Sequence, residues 1–154
     1  MIFPAILVFI IVYLLFLISG FLFPIDRSWY AKLKKPIWTP SGKVIGVIWG
    51  VLYALIALSL AIVEYKIGLK NTSLTFITFW IINYLTNQAF GFFEFKAKRL
   101  DLAVLDTAIV ALTSLLLIFV TLPYSVVGAV LLIPYVLWST FATYLAWNIY
   151  LLNR

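Results

Sequence analysis

The side chains able to do chemistry in this sequence lie inside apolar stretches. Asp106 is the one carboxylate well within such a stretch. A carboxylate in hydrocarbon is costly unless satisfied, so Asp106 must face other protein or lie near a membrane surface. Two readings stand for it: pairing with Lys or Arg from a basic connection, or a ligand or gating role. Asn83 and Asn87 are four residues apart and share one helix face, with Trp80 and Phe90 on or near that stripe and Gln88 beside it. Such groups either hydrogen-bond between helices or offer polar contacts in an aromatic pocket. Trp49 and Tyr53 repeat the four-residue spacing. Trp49 lies near enough to a span end to suit an interfacial belt or a pocket. Trp138 lies midway along the last apolar stretch, where a belt explains it less well, and is assigned to a pocket wall. Trp138, Ala142 and Ala146 recur every fourth residue, and small residues at that spacing suit close helix packing or dimerisation. Leu145, Tyr150 and Arg154 fit a loose pattern proposed for cholesterol contact, although a terminal interface anchor is the default.

Familiar reaction templates do not fit. The 154 residues include no His and no Cys. That removes thiolate chemistry, disulfides, the Ser-His-Asp arrangement and the usual haem and metal ligands. No Gly-rich phosphate loop occurs, and the five carboxylates are too scattered for a metal cluster. No metal site and no cofactor are expected.

These side chains must be positioned by membrane spans. The chain is 66% hydrophobic and 10% charged, where soluble domains carry about 25% charged residues. It is expected to be an all-α integral membrane protein, residues 1–154 forming one domain of five transmembrane helices with a structured loop between the first two. A crossing needs about 20 apolar residues, and five segments meet that, at about 2–23, 44–63, 71–93, 102–122 and 124–152. The first has neither the basic start nor the cleavage site of a signal peptide. The third is the most polar. Pro134 is expected to kink the fifth.

The loop, about 25–43, is the long polar interruption. Ser28 is expected to cap a short helix there, and Pro36 and Pro40 punctuate it. The net charge of +6 sits between apolar spans, so anionic lipid or an acidic ligand is expected rather than nucleic acid. Arg27, Lys32, Lys34, Lys35, Lys43, Lys96, Lys98, Arg99 and Arg154 fall on one side, and only Lys66 and Lys70 on the other. That bias predicts an outside N-terminus and a cytoplasmic C-terminus and loop.

Read in order, Trp29-Tyr30, Leu33, Lys35-Pro36, Trp38, Pro40, Trp49-Gly50, Leu52-Tyr53, Asn87, Leu102-Ala103, Asp106, Pro134-Tyr135, Trp138 and Phe141-Ala142 form a specific series. On these residues the chain resembles the TspO family, the tryptophan-rich sensory proteins of bacteria and the translocator protein, or peripheral benzodiazepine receptor, of mitochondria. The resemblance implies a five-helix bundle, usually dimeric, in a bacterial cell membrane, with a cavity closed by the first loop. It implies porphyrins such as protoporphyrin IX, sterols and synthetic benzodiazepine-type or isoquinoline compounds as ligands. The cavity set is Tyr30, Trp49, Asn87, Trp138 and Ala142 by family position, with Tyr53, Asn83 and Phe90 added from helix spacing. Trp29, Lys35, Pro36, Trp38 and Pro40 form the lid. Some members are linked to light-dependent breakdown of protoporphyrin, which would make Trp49 and Trp138 redox partners. The sequence departs from the family at Leu145-Ala146, where Leu-Asn is common, and before Leu102, where animal members carry Trp.

Aromatic walls suit a flat macrocycle, and the loop's Arg27, Lys32, Lys34 and Lys35 are expected to pair with its carboxylates. Without His or Cys, a preference for the metal-free porphyrin, or binding of haem without axial ligation, is expected. The leading expectation is a porphyrin receptor or sensor. An enzyme acting on porphyrin is the second. A transporter is weaker, since the chain has one clearly intramembrane acid and no inverted repeat.

Overall fold

Helices make up all the regular structure of the computed structural model, which describes residues 1–154. In order they are α1 (Ile2–Leu22), α2 (Arg27–Lys32), α3 (Gly42–Ile67), α4 (Leu74–Gly91), α5 (Leu100–Thr121), α6 (Val126–Val130) and α7 (Ile133–Asn153). A 3₁₀ turn, Leu69–Asn71, precedes α4, and a π-helical turn, Phe92–Lys96, extends it. α1, α3, α5 and the segment Val126–Asn153 are long and apolar enough to cross a membrane.

The starts of several helices follow from short polar side chains that take up free backbone N–H groups. Ser41 accepts from Val44, Ser73 from Phe76 and Ser125 from Gly128. In the loop the cap is Asp26, whose carboxylate accepts from the Trp29 N–H at 3.0 Å. Ser28 is therefore not the cap. It lies inside α2 and donates to Asp26 at 2.8 Å.

The last span is also built differently from expectation. It is not one kinked helix from 124 to 152. The chain breaks between α6 and α7, and Pro134 sits in the first turn of α7. A proline there removes no helical hydrogen bond, because the first N–H groups have no intrahelical acceptor.

α5 packs along α4 and α7, and α1 along α3. α4 meets α1 closely at Gly91, where a Cβ would lie 2.9 Å from Ser19 Oγ. One hydrogen-bond network touches all five long helices. From α4, the Asn83 amide donates to Thr113 of α5 at 2.9 Å and accepts from the Tyr135 hydroxyl of α7 at 3.0 Å. Asn87 donates to the same Tyr135 oxygen at 3.1 Å and accepts from Tyr53 of α3 at 3.3 Å. Gln88 donates to Asn87 and to the Phe16 carbonyl of α1, and accepts from the Ser19 N–H. Asn83, Asn87 and Gln88 of α4 thus point inward, while Leu74, Thr75, Thr78, Ile81, Ile82 and Leu85 are exposed.

Candidate functional site

Between these helices and the loop lies a cavity of about 280 Å³. Its walls are mainly aromatic and aliphatic. Tyr30, Trp49, Tyr53, Asn87, Phe90, Trp138 and Ala142 all line it. Residues separated by more than a hundred positions in sequence are therefore brought to one surface. Trp49 and Trp138 meet edge to face, with ring centres 6.5 Å apart. Trp49 also contacts Tyr53 and Tyr135 at 5.6 and 6.3 Å. The spacing of Trp49 and Tyr53 therefore marks an inner wall rather than an interfacial belt.

Asn83 is the exception. It is fully buried, does not line the cavity, and is held by Thr113 and Tyr135. One turn later on the same stripe, Asn87 reaches the cavity while remaining tied into the network. Gln88 bridges α4 to α1. Ala142 and Ala146 also face the cavity, so their spacing serves the interior and not an outer dimer surface. Leu145 lines the cavity too, while Arg154 is exposed. The pattern Leu145, Tyr150, Arg154 does not make one continuous surface.

The residues expected to form a lid stand at one remove from the cavity. Trp29, Lys35, Pro36, Trp38 and Pro40 do not line the cavity. Trp38 stacks on Tyr144 at 5.5 Å and meets Phe141 at 5.9 Å, and Phe141 packs on Trp138 at 5.1 Å. The loop is also tied to the end of α7: Asn153 accepts from the Lys34 N–H at 2.9 Å and donates to the Lys34 carbonyl at 2.8 Å. Lys98, in the left-handed region with φ 55, pairs with Asp26 at 3.0 Å. The basic ends of the chain's connections therefore do gather at one end of the bundle.

Those basic groups, expected to pair with ligand carboxylates, do not line the cavity itself. Lys35 Nζ donates to the carbonyls of Tyr30 and Leu33 at 2.7 and 3.0 Å and lies over the Tyr30 ring. Arg27, Lys32 and Lys34 are exposed and absent from the lining. The lining holds one acid instead. Glu94, in the turn beyond α4, is buried and accepts no hydrogen bond from the protein. Burial pushes its carboxyl up to about 8. Burial, and then the nearby Glu94, push the Tyr30 phenol up to about 12. Asp26 shows the opposite environment. The Trp29 N–H, followed by Lys98 and Ser28, holds its carboxyl down at about 2.

Asp106 is buried in α5, forms no ion pair with Lys or Arg, and leaves Oδ2 without a protein partner. It does not line the cavity, and the expected pairing with Lys or Arg is absent. The sequence reading missed Glu94 and the α1 wall of Phe16, Ser19, Gly20 and Phe23. Glu94 follows Asn87 and Phe90 at helical spacing, a signal obscured by treating the charged stretch after Phe93 as a loop. α1 carries no marker at all, being apolar all round.

Residues 6–152 match the model of the TspO/MBR family. The chain is similar to the tryptophan-rich protein TspO of Bacillus cereus, at 52% identity over 97% of this chain and 96% of that one. It is similar to the uncharacterized membrane protein YtaB of Bacillus subtilis, at 47% identity over 97% and 96%. With the human translocator protein it shares 27% identity over 78% and 73%.

Proposed function

The chain belongs to the TspO/MBR family of multi-pass membrane proteins, and from that membership and the cavity together we propose that it is a receptor for flat, hydrophobic ligands of the porphyrin type. The observation that carries this is the joining of Trp49 and Trp138 on one buried wall, with Tyr30 and Phe90 also lining the space. Such rings gain most from a planar aromatic partner stacked or edge-on. At about 280 Å³ the cavity is near the lower end of the ~300–1,000 Å³ usual for small-molecule sites. A whole tetrapyrrole therefore requires the loop end to open, with part of the ring held at the mouth. Synthetic benzodiazepine-type or isoquinoline compounds are smaller and need less opening.

In this reading α4 crosses the membrane as a fifth span. Its amide side chains Asn83, Asn87 and Gln88 are directed into the bundle and its outer face is apolar apart from Thr75 and Thr78, which offsets its composition. The basic end faces the cytoplasm and the N-terminus lies outside, following the positive charge. The family resemblance adds a homodimer, which sedimentation in detergent tests.

Titrating the purified protein with protoporphyrin IX in the dark tests the receptor reading. Saturable quenching of Trp fluorescence with a shifted porphyrin absorption band is expected, and quenching no greater than for empty detergent overturns it. A second reading, light-dependent loss of bound porphyrin, is favoured by the two indoles at the wall. Illumination of the same sample tests it. Pigment loss in the wild type but not in Trp138→Phe at equal occupancy supports it, and equal loss in both removes it.

A further inference from the structure

We propose that Glu94 sets the ligand class of the cavity: its carboxyl takes a flat aromatic ligand through a basic nitrogen or N–H group, and turns away a ligand that would place an anion beside it. This rests on the receptor reading above. The lining contains no Lys or Arg, and Glu94 is its one carboxylic acid. The cations closest to this end of the cavity are placed elsewhere: Lys35 is held by backbone carbonyls, Lys98 by Asp26, and Lys96, two residues from Glu94, is exposed over the Phe23 ring at 5.8 Å and outside the lining. Near Glu94, α2 offers the Tyr30 phenol, which remains protonated at neutral pH, while the other lining residues bring no charge, including Phe23, Phe95 and Ile149, and Thr107 and Val110 of α5, the helix packed against this turn. The carboxyl accepts no hydrogen bond within the protein, so a ligand donor would be its first.

The physical consequence has a direction. An unpaired carboxylate in an apolar site is costly, so the free protein keeps the proton. A ligand cation stabilises the charged form, and binding then releases that proton to solvent. An anionic ligand meets a neutral acid at best and a like charge at worst. A tetrapyrrole would accordingly turn its N–H groups inward and its carboxylates toward the mouth, where Arg27, Lys32 and Lys34 are exposed.

Three probes with one ring system test this: (1-naphthylmethyl)ammonium, 1-naphthylmethanol and 1-naphthylacetate. Calorimetry at neutral pH on protein in nanodiscs, with empty nanodiscs subtracted and two buffers of different ionisation heat, reads both affinity and proton release. The ammonium should bind tightest and the acetate weakest, about tenfold or more apart for a charge pair at a partly screened site. The ammonium should release most of one proton per ligand, and the alcohol none. In Glu94→Gln the release should vanish and the affinities converge to within about threefold. No proton release in the wild type, an acetate that binds tightest, or an unchanged order in the variant overturns the proposal, and the wild-type release needs no variant to fold. If all three probes bind alike, only the Glu94 assignment falls. If none binds, the receptor reading falls with it.

Discussion

Around Asn83 the buried polar side chains satisfy one another. Further along the same helical stripe, past Asn87 and Phe90, nothing in the protein satisfies Glu94. Asn83, Thr113, Tyr135, Asn87 and Tyr53 form a connected set with distances of 2.9 to 3.3 Å, whereas the Glu94 carboxyl has no hydrogen bond and the Trp138 Nε1 is buried without one. Both regions are carried by α4 or its extension. The difference separates scaffold from site. A closed network leaves nothing to offer a ligand and fixes the helices. Open valences in an aromatic wall fix little and leave contacts to be made. Asn87 belongs to both, which gives it the role of joining them.

The contrast breaks most visibly at Asn83. Replacing it by Leu leaves the Tyr135 hydroxyl proton without its acceptor and removes the donor to Thr113, although Asn87 still donates to Tyr135 and Thr113 still donates to the Ile109 and Val110 carbonyls. A loss of about 1–3 kcal/mol in unfolding free energy is expected from unpaired buried groups, measured in detergent by thermal or denaturant unfolding. Because interhelical bonds in membranes average nearer ~0.6 kcal/mol, a loss below that would mean the network is ornamental and the contrast false.

Glu94 should show the opposite signature in its pH dependence. Its folded carboxyl is raised to about 8, above the ordinary value of about 4.3. Between those values the folded chain holds a proton that the unfolded chain has released, so stability should fall as pH rises and level off above about 8. Glu94→Gln should make that slope shallower, the buried Asp106 remaining. A wild type whose stability is flat across the window would show that Glu94 is solvated.

The smallest effect belongs to Asp26, an exposed carboxylate that organises the loop. Its folded pKa is lowered to about 2. Its contribution is therefore complete above the ordinary Asp value of about 3.9 and is lost as pH falls toward about 2. Asp26→Asn should raise proteolysis of the loop modestly at neutral pH without changing the cavity. Unchanged cleavage would leave Asn153 and Trp38 as the loop's anchors.

Much of this was legible in the sequence because apolar length and four-residue spacing report directly on helices and faces. Trp49, Tyr53, Asn87, Phe90, Trp138 and Ala142, singled out by spacing or by the resemblance, line the cavity. Depth was not legible. Asn83 and Asn87 share a face, but spacing does not say which of two turns meets a void and which meets Thr113. Chain reversal was hidden as well. Lys35 reads as a free cation until the backbone curls and its ammonium meets the carbonyls of Tyr30 and Leu33. Pro134 reads equally as a kink or as a helix start, and the Ser125 cap ahead of α6 was the overlooked sign of a break. Glu94 was lost because a charged stretch suggests a loop, while the helical turn in fact continues through it.

The central claim is that the aromatic wall at Trp49 and Trp138 binds a flat ligand. Dark titration of protoporphyrin IX into the wild type and Trp49→Leu, followed by porphyrin absorbance, tests it most directly. Losing a buried aromatic contact of about 1.5–3 kcal/mol predicts affinity weaker by roughly tenfold to a hundredfold, with unfolding stability changed far less than in Asn83→Leu. Equal affinity in the two proteins would contradict it.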